Sequence, residues 1–125
     1  LIVQPGVFYY TFAGNYYIID LPEFQILQQY YLEYHNCNIN WEIDLTNEFD
    51  LFVTTWSLSE ILLEDRYPYE KLKCKYFLMA FGPEYANIDN HKYFIEFCKK
   101  YKEHNFYLFK TPHLNNQFYC IGEPR

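Results

Sequence analysis

The residues best suited to chemistry stand just past the ends of apolar runs. The run Tyr16–Asp20 (YYIID) closes on Asp20, and Leu21-Pro22 follows at once. A second run, Phe49–Thr55, is followed by Trp56-Ser57-Leu58-Ser59-Glu60, and a third, Lys75–Phe81, by Gly82-Pro83-Glu84-Tyr85. A fourth, Phe106–Lys110, leads into Thr111-Pro112-His113. A buried, unpaired carboxylate is expensive, so Asp20 is expected at an open edge with something to bind. In open α/β sheets ligands sit at the carboxyl ends of strands, and an acid ending a strand there accepts hydrogen bonds from the ribose hydroxyls of a nucleoside. A carboxylate suits that work because it takes two hydroxyl donors at once. The competing assignment makes Asp20 a cap on the helix that begins beside it.

These positions converge only if the apolar runs are strands with helices between them. Tyr16–Asp20 is rich in β-formers. Pro22 suits the first turn of a helix and Glu23 its N-terminal dipole, and Phe24, Leu27 and Tyr31 then mark one face through His35. Asn36–Asn40 is turn-like, and Ile39–Ile43 reads as a further short strand. Phe49–Thr55 is apolar on both faces apart from Asp50, the pattern of a central parallel strand. A helix is expected within Ser57–Lys73, capped by Ser57 or Ser59. Gly82-Pro83 stops the strand Lys75–Phe81. Asn90 is the expected cap of a helix that buries Phe94, Phe97, Cys98 and Tyr101 and pairs Glu96 with Lys100 on its surface. Phe106–Lys110 and Gln117–Gly122 are too close for a crossover helix and must form an antiparallel hairpin. Alternation of this kind predicts one α/β domain over residues 1–125, Rossmann-like, with a mostly parallel sheet ending in that hairpin.

Composition removes several classes. At 125 residues and 23% aromatic, the chain has ample material for a core. A net charge of −6 and a pI near 5.1 disfavour a phosphate-binding surface, so nucleic acid is not an expected partner. The local cluster Lys99, Lys100, Lys102 reads as the solvated face of a helix. Cys37, Cys74, Cys98 and Cys120 form no CxxC and predict reduced thiols in a cytoplasmic protein. No HxxxH or HExxH argues for a metal, and GxSxG is absent. No apolar run approaches the ~20 residues of a membrane span.

Asp20-Leu21-Pro22-Glu23, with Tyr30-Tyr31-Leu32 after it, then Asp50-Leu51 and Ser57-Leu58-Ser59-Glu60, resembles the sugar O-methyltransferase family. Those S-adenosylmethionine-dependent enzymes end their second strand in Asp-Leu-Pro and end a strand beginning Asp-Leu in a Ser-Glu sequence. The late hairpin also looks like the strand pair that sets methyltransferase sheets apart from other Rossmann relatives. The resemblance extends from Tyr16 to Pro124. It implies that Asp20 holds the donor's ribose and that Leu21 lines the adenosine site. It places Trp56, Ser57, Ser59 and Glu60 in the loop beneath the methyl donor and an acceptor glycan, a polysaccharide or glycolipid precursor. The Trp56 ring face would suit a sulfonium, or else pack under the sheet edge, and Glu60 would serve catalysis or cap its own helix. In-line transfer to a hydroxyl also needs a base. His113 and Glu84 are the candidates, while His91 starts a helix and His35 and His104 sit at helix ends, where a cation is favoured.

The upstream segment departs from that pattern. Gly6 and Gly14 are present without GxGxxG spacing, and only 13 residues lie between Gly6 and Asp20, against about 20 in the dinucleotide fingerprint. The expectation is therefore a domain without its first strand and glycine loop, either a fragment or a degenerate copy, whose open sheet edge would favour self-association. S-adenosylhomocysteine is then expected to bind weakly or not at all. A catalytically inert α/β binding or assembly module is the alternative.

Overall fold

The structure, a computed structural model, describes residues 16–20, 22–35, 37 and 39–125. Leu21 and the segment with Gly6 and Gly14 lie outside the described residues. In chain order the elements are strand β1 (Tyr16–Tyr17), helix α1 (Pro22–Tyr34), β2 (Ile39–Asn40) and β3 (Glu48–Thr55). A 3-10 turn (Ser57–Glu60), the one-turn helix α2 (Leu63–Arg66) and a second 3-10 turn (Tyr67–Lys71) lead to β4 (Lys73–Phe81). Then come β5 (Glu84–Tyr85), β6 (Ile88–Asp89), α3 (Asn90–Lys100), β7 (His104–Lys110) and β8 (Phe118–Pro124). The fold is α/β. It divides into two compact units, Leu1–Asp44 and Leu45–Arg125. None of the described helices is long and apolar enough to cross a membrane.

In the first unit β1 and β2 pair in parallel, Tyr16 against Ile39 and Tyr17 against Asn40, with α1 as the crossover between them. The ladder is shorter than the run Tyr16–Asp20 predicts. Asp20 therefore lies on the connection into α1, past the paired residues. Helix α1 also buries a different side from the expected one. Phe24, Leu27 and Tyr31 are exposed, whereas Leu32 is buried, with Gln25 and Gln28 half-buried at its i−7 and i−4 positions. Apolar residues at 24, 26, 27, 30, 31, 32 and 34 surround this helix, so periodicity alone does not select one face.

The second unit is built on a four-stranded sheet in the order β3-β4-β8-β7. β3 and β4 are parallel, from Glu48 against Lys73 to Thr55 against Ala80. The hairpin is antiparallel as expected, but its second strand is the one that meets β4, with Phe81 opposite Phe118 and Phe77 opposite Gly122. The sheet is consequently mixed, with β8 running against β4 and β7. Helix α3 covers one face. Phe81 stacks on Phe94 at 4.1 Å, and the Phe77 ring meets Phe97, Tyr101, His104 and Phe106. Phe77, Met79, Phe81, Phe94, Phe97 and Cys120 are all buried. The opposite face carries Leu51, Tyr76, Ile121 and Tyr107, each exposed by about half.

Four local expectations are corrected. The segment 57–73 is not one helix but short turns, with Pro68 opening the second 3-10 turn and Arg66 pointing inward between them. The cap of α3 is Asp89, whose side chain accepts from Lys92 N at 2.9 Å, while Asn90 is buried. Glu96 pairs with Lys99 at 2.7 Å, and Lys100 reaches Glu70 instead. His104 belongs to β7, with Nε2 2.9 Å from Cys74 O.

Gly122 shows how tightly the helix-covered face is filled. A Cβ there would lie 2.4 Å from Phe106 Cε1 and 2.9 Å from Cδ1. The ring cannot swing aside, because Phe77, Tyr101 and His104 surround it. Gly122→Ala is expected to destabilise by about 1–3 kcal/mol through overpacking. A denaturant midpoint equal to that of the native chain would show that Phe106 has room to move.

Candidate functional site

The carboxyl ends of β3, β4 and β7 and the start of β8 share one edge of the second unit, since Thr55 pairs with Ala80, Phe81 with Phe118, and Phe118 with Lys110. At this edge β3 turns sharply. Trp56 has φ 65° and ψ −31°, left-handed backbone in a bulky residue, a conformation that costs of order 1–3 kcal/mol unless its surroundings enforce it. They do. Trp56 N donates to Ala80 O at 2.7 Å, and Trp56 O accepts from Ser59 N at 2.9 Å and from Ser59 Oγ at 2.6 Å. Thr54 Oγ1 accepts from Leu58 N at 3.0 Å and lies 3.0 Å from Ser57 Oγ. The indole Nε1 donates to Gln117 Oε1 at 2.6 Å, and Gln117 lies against Gly82, where a Cβ would meet Oε1 at 3.3 Å. Trp56, Gln117 and Gly82 thus tie the ends of β3 and β4 to the start of β8.

A second network holds the far side of the turn. Arg66 is fully buried: Nη1 donates to Asn90 Oδ1 at 2.8 Å, Nη2 to Ser59 O at 3.0 Å, and Nε and Nη2 to Ile61 O at 3.0 and 2.9 Å. Asn90 Nδ2 adds a bond to Ser59 O at 3.1 Å, and Asn90 N donates to Pro83 O at 2.9 Å. The guanidinium sits 4.6 Å from the centre of the Tyr93 ring. Among the described residues no carboxylate pairs with it. Burial lowers its pKa, Tyr93 acting in the opposite sense, yet an arginine remains charged. Carbonyl dipoles, the Asn90 amide and an aromatic face therefore carry this cation.

The predicted residues fall as follows. Trp56, Ser57, Ser59 and Glu60 lie on the turn after β3, with Ser59 buried, its hydroxyl engaged by Trp56 O, and Glu60 exposed. Glu84 is exposed on β5, which packs against the Ser57–Glu60 turn and pairs with β6 across Ala86 and Asn87, both left-handed. His113 is exposed in the loop that Thr111 N closes onto Gln117 O at 2.8 Å. Residues from three separated stretches of the second unit thus lie at one edge. His91, in the first turn of α3, packs its ring on Phe118 at 5.1 Å. Asp20, in the first unit, is half-buried and accepts from Gln28 Nε2 at 2.6 Å. Leu21 lies outside the described residues.

Sequence reasoning missed Arg66, Asn90 and Gln117. Asn90 carries a signal only as a helix start. Arg66 and Gln117 carry none, because their partners are carbonyls and an indole remote in sequence. Among the described residues no group of three or more His, Cys, Asp or Glu side chains is placed to hold a metal ion. No family model matches the chain, and no curated protein matches it.

Proposed function

We propose that this chain carries the ribose-holding and acceptor-facing parts of a Rossmann-like methyltransferase that moves a methyl group from S-adenosylmethionine to a sugar hydroxyl. One observation supports this above others: the late hairpin enters the sheet in the order β3-β4-β8-β7, its antiparallel second strand beside β4. The resemblance leads one to expect a late antiparallel hairpin, and the strand order was not part of that expectation. S-adenosylmethionine, when bound, supplies an electrophilic methyl group on a sulfonium. Asp20 accepts the ribose hydroxyls, because a carboxylate takes two hydroxyl donors at once. In the second unit the Trp56 turn presents a rigid rim, fixed by the hydrogen bonds to Ala80, Ser59 and Gln117. Glu84 and His113, both exposed, are the groups available to take the proton of a sugar hydroxyl, with Glu60 exposed on the turn itself.

A catalytically inert α/β module is the second proposal, and it too has an observation in its favour. The indole N–H of Trp56 and the hydroxyl of Ser59 are both engaged inside the protein. Saturation-transfer NMR separates the two. S-adenosylhomocysteine at millimolar concentration is expected to receive magnetisation on its ribose and adenine protons, reporting weak binding. No transfer at all would withdraw the proposal that these residues hold the methyl donor and leave the inert module standing.

A further inference from the structure

The four cysteines, scattered in sequence, are not scattered in the fold. Cys98 on α3 and Cys120 on β8 bring their Sγ atoms to 3.5 Å, across the packed layer between the helix and the sheet. Both are free thiols; Cys98 is half-buried and Cys120 is buried. A disulfide needs an S–S separation of about 2.05 Å, within reach of rotation about the two side chains. The other two cysteines have different surroundings. Cys74 is buried with Sγ donating to Tyr76 O at 3.1 Å, and Cys37 contacts His35 O at 3.7 Å.

We propose that Cys98 and Cys120 form a redox-modified dithiol, in which Cys98 reacts with a hydroperoxide and Cys120 resolves the product to an intrachain disulfide linking α3 to β8. The Cys98 thiolate attacks one oxygen of hydrogen peroxide, the O–O bond breaks, and the departing hydroxide takes a proton to become water. Cys98 is left as the sulfenic acid. The Cys120 sulfur then attacks the Cys98 sulfur, the S–O bond breaks, and the leaving hydroxide takes the Cys120 proton as a second water. Two thiols are oxidised and one peroxide is reduced to two waters. The roles follow from exposure, since of the two Cys98 is partly exposed and Cys120 is buried. The electrostatics agree. A hydrogen bond from Cys120 stabilises the Cys98 thiolate and lowers its pKa, while the same contact and burial raise that of Cys120. Burial pushes Cys74 up to about 11, which keeps it a protonated, unreactive thiol.

Peroxide titration followed by thiol counting under denaturing conditions tests this directly. The four thiols of the native chain are expected to fall to two, the intact mass to drop by two hydrogens, and peptide mapping to join Cys98 to Cys120. Dithiothreitol should restore all four. In Cys120→Ser, dimedone is expected to trap a Cys98 sulfenic acid that the native chain does not accumulate. Four thiols surviving peroxide, a bond involving Cys37 or Cys74, or Cys98 passing to the sulfinic acid in the native chain would each overturn the proposal. Mapping the native chain decides the matter even if the variant does not fold.

Discussion

Arg66→Met is expected to cost about 3 kcal/mol of stability, the largest effect of any single substitution discussed for this chain. Methionine approximates the volume but donates nothing. The carbonyl of Ile61, which takes both Nε and Nη2, and Oδ1 of Asn90 would lose their donors inside the protein. Each orphaned buried acceptor costs about 1–3 kcal/mol. Working against that loss is relief from holding a cation in a place that burial makes unfavourable, the reason some buried ions can be replaced by apolar groups at no cost. Such replacements succeed when both partners of an ion pair go together. Here the partners are mostly main-chain carbonyls, which no single mutation removes, so the loss is expected to win. Arg66→Lys should not rescue, because one ammonium cannot span Ser59 O, Ile61 O and Asn90 Oδ1 in the geometry that the guanidinium fork spans. Amide exchange at Leu58 and Ser59 should quicken in both variants, since the network holds the turn those residues form. A denaturation midpoint unchanged in Arg66→Met would show that the carbonyls find other donors.

What could be read from the chain divides along the same line as this network. Strands β3 and β4 were legible because Phe49–Thr55 and Lys75–Phe81 are continuous apolar runs of strand length, but the central position expected for the first was not, since β3 stands at the edge of the described sheet and Leu51 and Tyr76 are exposed. The antiparallel hairpin was legible because six residues between Lys110 and Gln117 cannot hold a crossover. Which hairpin strand meets β4 is a tertiary choice, as both strands carry aromatics, Phe106, Tyr107 and Phe109 on one and Phe118 and Tyr119 on the other, and the mixed sheet followed from a choice that sequence does not encode locally. Helix α1 was legible as a helix but not in its orientation, since the exposed Phe24 and Leu27 are as apolar as the buried Leu32. The candidate edge was legible in outline because strand ends are marked by Gly82-Pro83 and by the change of composition after Thr55. Its supports were not. The left-handed Trp56 leaves no trace in a residue that rarely adopts such backbone. The approach of Cys98 to Cys120 likewise depends on α3 lying over β8, a packing that no spacing rule predicts.

Asp20→Asn is expected to weaken S-adenosylhomocysteine binding ten- to hundredfold while leaving stability nearly unchanged. The carboxylate sits where the first unit's short strand gives way to α1, and Gln28 Nε2 donates to its Oδ2 at 2.6 Å. Asparagine keeps the size and one carbonyl oxygen, so the Gln28 contact survives. What goes is the charge and an acceptor, and hydrogen bonds to charged groups contribute about 1.5–3 kcal/mol, where 1.4 kcal/mol is tenfold in affinity. Asp20→Ala separates the ligand role from the structural one. It deletes the Gln28 contact as well, so it should add a stability loss of about 0.5–1.5 kcal/mol to the same loss of binding. If Asp20 serves only to anchor α1, the alanine variant melts lower and the saturation-transfer signal of S-adenosylhomocysteine is the same in all three proteins. If Asp20 holds a ribose, the signal falls in both variants and the melting temperature falls in one. A signal that weakens in Asp20→Ala alone would assign the effect to the displaced Gln28 side chain, and the ribose role would then be withdrawn.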